Sequence, residues 1–142
     1  MKIVLDASMA LAWHLKREDQ GEAALARVAL QLVKVHGALV PALWYPEVAN
    51  TLLVAERRHV ASEKDTATFQ ADVEQLPLVL DPVSPRTTQP SVLVRGRQSQ
   101  LSGYDATYLE LAKRNGAQLA TFDRKLAAAA RTAGVRVFGD PA

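Results

Sequence analysis

Five apolar runs, none longer than four residues, punctuate the chain at helix-length intervals: KIVL at 2–5, ALV at 38–40, LVL at 78–80, AQLA at 117–120 and VRVF at 135–138. Continuous short apolar runs of this kind fit strands buried on both faces, as in a parallel sheet covered by helices. Consecutive parallel strands need long crossovers, and helices supply them. The alternation therefore restricts the chain to an α/β class: one domain over residues 1–142, three α/β/α layers and a five-stranded parallel sheet.

The intervening segments read as helices. One is expected from about Ser8 to Lys16. A second fits Glu18 to Val35, with Leu25, Val28, Ala29 and Leu32 at helical spacing, and Gly37 ends it. LWYPEVANTLLVAERRH at 43–59 is a third, since Pro46 is tolerated in a first turn. Ser62 caps a fourth that runs to about Gln75. Asp81-Pro82, Pro85 and Pro90 make 81–90 either irregular or a fresh helix start near Ser84. Two more helices fit Ser102–Arg114, stopped by Asn115-Gly116, and Arg124–Thr132.

Composition closes off several chemistries. The chain has no cysteine, which removes disulfides, zinc thiolates and thiol catalysis and suits a cytoplasmic location. The N-terminal run MKIVLDASMA is too short for a signal-peptide core and is interrupted by Asp6. Nothing approaches the ~20 apolar residues of a membrane span, so no membrane partner is expected. Net charge is only +2, but residues 1–83 carry 8 basic and 11 acidic residues while residues 84–142 carry 9 and 4. A basic C-terminal portion accommodates a polyanion, although a solvated surface has the same composition. No G-x-G-x-x-G or Walker A sequence supports a nucleotide site.

Four acids stand where chemistry is expected. Asp6 and Asp123 each follow a strand directly, and the carboxyl ends of parallel strands border the ligand crevice. Each is equally placed to cap the following helix. Asp105 follows Ser102 at S-x-x-D spacing, a weaker form of the capping box. Glu47 lies near the start of the third helix, favourable to the helix dipole, with Asn50 and Thr51 one turn on. Strands one and four are neighbours across the switch point of a doubly wound sheet, so the four acids are expected in one crevice. Crowded carboxylates repel one another unless a cation is present, and an all-oxygen donor set without His or Cys selects Mg²⁺ or Mn²⁺. Such a site suits phosphodiester hydrolysis. Ser8 adds a hydroxyl beside Asp6. Arg124 and Lys125, next to Asp123, are candidate phosphate contacts. His14, His36 and His59 lack ligand spacing, and Trp13 and Trp44 read mainly as core or interface residues with base stacking as the lesser alternative.

LDAS at 5–8, LWYPEVANTL at 43–52, LSGYDATYLELA at 101–112 and LATFDRKLAAAARTAGV at 119–135 resemble, in order and spacing, the four sequence blocks of PIN-domain proteins, most closely the VapC-type toxins of bacterial toxin–antitoxin pairs. The resemblance runs from Lys2 to about Val137. It implies a Mg²⁺- or Mn²⁺-dependent endoribonuclease, with Asp6, Glu47, Asp105 and Asp123 as its acidic site, Ser8 and Thr121 as hydroxyls that orient water or carboxylates, and Asn50 as a polar neighbour. It also implies a homodimer and a cognate antitoxin protein. The segment Pro82–Gln100 matches least. A haloacid-dehalogenase-type phosphatase wants D-x-D where this chain has Asp6-Ala7-Ser8, and a receiver domain's acidic pair and lysine are not evident. The remaining alternative is a catalytically silent module that binds RNA or a regulator.

Overall fold

The computed structural model describes residues 2–141. The strands are β1 (Ile3–Leu5), β2 (Ala38–Val40), β3 (Leu78–Leu80) and β4 (Gln118–Ala120). The helices are α1 (Ala7–Leu11), α2 (Gln20–His36), α3 (Trp44–Arg57), α4 (Glu63–Glu74), α5 (Pro85–Ser99), α6 (Gly103–Asn115) and α7 (Arg124–Thr132). All strand pairings are parallel, in the order β3-β2-β1-β4. From β1 the chain builds outward through β2 to β3, then crosses back to lay β4 on the other side of β1, with Leu5 opposite Ala120. That reversal sets the carboxyl ends of β1 and β4 side by side, where the crevice of an open parallel sheet forms.

The central strands are apolar because both faces are covered: Val4, Leu5 and Leu119 are fully buried, and Val33, Leu109 and Leu126 of the flanking helices pack into the same core. Each such side chain contributes about 1.5–3 kcal/mol of burial. β3 is one edge strand, and its Val79 and Leu80 are half exposed.

Local signals set the helix limits. Asp19 caps α2 by accepting from the Glu22 amide at 2.9 Å. Ser62 and Asp65 form a reciprocal capping box at the start of α4, at 3.1 and 3.0 Å. Gly37 leaves α2 at φ 74°, and a Cβ there would stand 2.7 Å from the Pro77 carbonyl, so only glycine lets β2 begin at this point.

The sheet has four strands among the described residues, not the expected five. Val135–Phe138 runs alongside β4 but forms only one isolated parallel bridge, Leu119 to Val137. The Leu119 amide donates to Arg136 and the Phe138 amide donates to Leu119, at 2.8 and 2.9 Å. Gly134 and Gly139, at φ 79° and 96°, turn the chain on either side of this segment, which leaves too little extended backbone for a ladder. The first helix also stops earlier than the pattern implied, at Leu11 rather than Lys16. Beyond it the backbone tightens into turns, and the Trp13 indole donates to the Ala26 carbonyl of α2 at 2.9 Å. The proline-rich stretch resolves into a helix start: Ser84 caps α5 and Pro85 fills its first position.

Candidate active site

The acidic crevice is assembled by the β1–β4 pairing. Asp6 ends β1, its amide bonded to the Ala120 carbonyl at 3.0 Å. Although Asp6 stands at the N-cap of α1, its side chain makes no capping bond. One carboxylate oxygen, Oδ2, instead accepts from the hydroxyls of Ser8 and Thr121, each at 2.6 Å. Ser8 in turn accepts from the Phe122 amide at 2.9 Å, and Thr121 accepts from the Asp123 amide at 2.9 Å. These hydroxyls stitch the ends of the two strands together and aim a carboxylate that is only 7% exposed. Burial pushes the Asp6 carboxyl above its ordinary pKa; the two hydroxyl bonds oppose this, and the Asp123 charge adds to it.

Asp123 divides its roles. Its Oδ1 caps α7 by accepting from the Leu126 amide at 2.8 Å, so the capping alternative holds for one oxygen. Asp105 behaves differently. Ser102 caps α6 through the Asp105 amide at 3.1 Å, but no return bond from the Asp105 carboxylate completes a box, in contrast to Asp65 in α4. Burial, then the charges of Asp123 and Asp6, push the Asp105 carboxyl up, while Lys125 pulls it down.

Glu47 sits in the first turn of α3, and its Oε1 accepts a 2.5 Å bond from the hydroxyl of Tyr108. Its carboxyl is raised by burial; the Tyr108 bond opposes this, and the charges of Asp6 and Asp105 reinforce it. Tyr108 is fully buried, and burial followed by its bond to Glu47 drives its phenol far above the ordinary value, so the hydroxyl stays a donor. The sequence reading missed Tyr108. Its only signal was its position three residues after Asp105, which places both on one helix face.

Asp6, Asp105 and Asp123 thus lie within electrostatic reach of one another and Glu47 within reach of Asp6 and Asp105, with Ser8 and Thr121 bonded to Asp6. Asn50 stands exposed one turn beyond Glu47 without a hydrogen bond to the carboxylates among the described residues. Arg124 and Lys125 are exposed at the start of α7, and Lys125 faces Asp105. Trp44, buried at 1% exposure, offers no face to a base, and Trp13 is partly buried against the core with its indole tied to α2.

Among the described residues no three acidic or histidine side chains already form a finished cation cage. The donor chemistry nonetheless fits a hard divalent ion: oxygen donors only, and carboxyls held above their ordinary pKa partly by each other's charge. No helix among the described residues is long and apolar enough to cross a membrane.

The fold has solved counterparts. The crystal structure of PAE2754 from Pyrobaculum aerophilum is 23% identical, with a TM-score of 0.63, over 91% of this chain and 79% of that one. The crystal structure of FitAcB from Neisseria gonorrhoeae is 14% identical, also with a TM-score of 0.63, over 96% of each chain. No curated protein matches the chain in sequence. The PIN domain family pattern matches residues 3–132, the span that carries all four acids, and the chain therefore belongs to the PIN domain family, a family of nucleases.

Proposed function

We propose that this protein is a Mg²⁺- or Mn²⁺-dependent endoribonuclease and the toxin of a toxin–antitoxin pair, with Asp6, Glu47, Asp105 and Asp123 as metal-holding and catalytic residues. The observation that carries this reading is the mutual elevation of the carboxyls. Asp6, Glu47 and Asp105 are each raised by burial and by at least one neighbouring acid of the set. Such a set is costly as an apo structure and becomes favourable when a cation joins it.

A bound divalent ion lowers the pKa of a coordinated water and offsets charge on the phosphoryl oxygens. The chain's own groups do the rest. Asp6, fixed by Ser8 and Thr121, and Asp123, fixed by the α7 amide, are the most rigidly aimed carboxylates. Asp105 has no hydrogen-bonding side-chain partner among the described residues, and its raised pKa suits it to take the proton from the attacking water. Water oxygen bonds to phosphorus, one phosphorus–ester oxygen bond breaks, and the departing oxygen takes up a proton. Arg124 and Lys125 hold the flanking backbone phosphates. Asn50 is a weaker candidate contact. The homodimer and the antitoxin partner come from the sequence resemblance, and the oligomeric state is read directly by light scattering of the purified chain.

The test is cleavage of total RNA by purified protein with Mg²⁺, Mn²⁺ or EDTA, beside Asp6→Asn and Asp105→Asn. Cutting that requires metal and is abolished by both substitutions is the expected result. Folded protein that binds RNA and leaves it intact under every condition would instead be a silent binding module.

A further inference from the structure

An open groove of about 650 Å³ runs between α5 and α6 and reaches the segments that follow β2 and β3. Two elements, α6 and the start of α3, contribute to both this groove and the acidic site. On α6, Tyr104, Thr107 and Glu110 form the stripe that lines the groove, while Asp105 and Tyr108 form the next stripe, about 100° around the helix. On the other side Leu43, at the start of α3, lines the groove one turn before Glu47.

Three lining side chains are unusual for a surface without a partner, among them Leu80 at 50% exposure. Tyr104 is 65% exposed and Leu93, across the groove on α5, is 49% exposed. Tyr104 stacks on no other ring among the described residues. The groove's two acids are partly offset by one shared guanidinium, and Arg86 brings the four charges to zero. Asp81 and Glu110 are both held by Arg114, at 2.6 and 2.8 Å. Arg86, also lining the groove, has no acidic partner among the described residues. An open aromatic face, an apolar wall and a guanidinium without a salt-bridge partner together match a base with its phosphate.

We propose that this groove is a base-binding subsite that takes an unpaired RNA nucleobase flanking the scissile phosphate, stacked on Tyr104, with Arg86 meeting the adjoining phosphate. The inference rests on the ribonuclease reading above and adds the device that selects where the RNA is cut. It also gives a role to α5, which comes from the stretch where resemblance to the family is weakest.

The experiment sequences the cut ends produced from a mixed-sequence single-stranded RNA pool, in Mg²⁺ or Mn²⁺, by wild type, Tyr104→Ala, Tyr104→Phe and Leu93→Glu. Tyr104→Ala is expected to keep metal-dependent cutting, with kcat/KM lowered about tenfold and base preference flattened at one position beside the cut. Leu93→Glu, which places a negative charge in the groove, flattens the same position, and Tyr104→Phe restores the preference. Unaltered rate and preference in both Tyr104→Ala and Leu93→Glu overturns the subsite and leaves the nuclease standing. A wild type that cuts nothing overturns the nuclease reading and the subsite with it. Unchanged cleavage with an altered oligomeric state in Tyr104→Ala assigns the groove to a protein contact and overturns the proposal.

Discussion

The hydroxyl of Tyr108 donates to Glu47 across 61 positions of chain, joining the first turn of α3 to the middle of α6 with a 2.5 Å bond. The contact is both a tie between elements and an electrostatic setting for one carboxylate of the acidic crevice.

Removing only that hydroxyl tests the setting. In Tyr108→Phe the ring still fills its buried site, so the fold survives. Glu47 loses the bond that lowers its pKa, and that pKa rises further. We expect kcat/KM to fall about 10–100-fold and the acid limb of the pH–rate profile to move to higher pH. A reduced rate with an unmoved acid limb would show that the bond is structural only.

The raised carboxyls also carry a stability signature. A folded-state pKa above the unfolded value means that the folded chain holds protons the unfolded chain releases. Stability from Asp6, Glu47 and Asp105 is therefore fully present below the ordinary values of 3.8–4.5 and is lost as pH rises through their elevated folded pKa values. In EDTA, wild type is expected to gain thermal stability as pH falls from 7 toward that range. Asp6→Asn, neutral at every pH, is expected to be more stable than wild type at pH 7 and to respond less to acid. Melting curves at several pH values decide it, and a wild type that loses stability steadily from pH 7 downward contradicts it.

Metal binding has a readout that needs no substrate. An ion that binds the folded state alone, at 100 times its Kd, adds about 2.7 kcal/mol. That corresponds to a rise in Tm of roughly 5–10 °C for a chain of this size. Titration with Mg²⁺ or Mn²⁺ is expected to raise the Tm saturably at pH 7, with the gain lost in Asp105→Asn. An equal shift in that variant would place the ion elsewhere.

Arg114 is predicted to be a stability residue rather than a catalytic one. Its guanidinium makes paired bonds to both Asp81 and Glu110, whose side chains are only 11% and 9% exposed. Burial pushes the Asp81 carboxyl up, but the bonds from Arg114 and the Val83 amide outweigh it and leave it below its usual value. Arg114→Ala strands two shielded carboxylates and is expected to cost about 2–3 kcal/mol in urea unfolding. A loss below about 0.5 kcal/mol would mean that water replaces the guanidinium freely.

Most of this architecture was legible because its signals are local. IVL, ALV, LVL and QLA are strands because they are short, apolar and bounded by helix starts and glycine stops. Asp6 and Asp123 were found because a strand end is visible in the sequence, and the β1–β4 adjacency that unites them follows from the switch-point rule. What escaped notice depends on distance or on backbone detail. Tyr108 reads as one more core aromatic until the fold brings Glu47 to it. Val135–Phe138 has the composition of a strand, but the turns at Gly134 and Gly139 on either side of it leave a single bridge instead of a ladder. A Cβ at Gly139 would meet Leu25 of α2 at 2.7 Å, so this close approach to the helix requires glycine.

The strand order β3-β2-β1-β4 also has a consequence in time. Asp6 precedes Thr121 and Asp123 by more than a hundred residues, and β4 is the strand that pairs with β1 on the side away from β2. A growing chain therefore makes the opening half of the crevice well before its closing half. The topology thus withholds the assembled acidic crevice until β4 has cleared the ribosome.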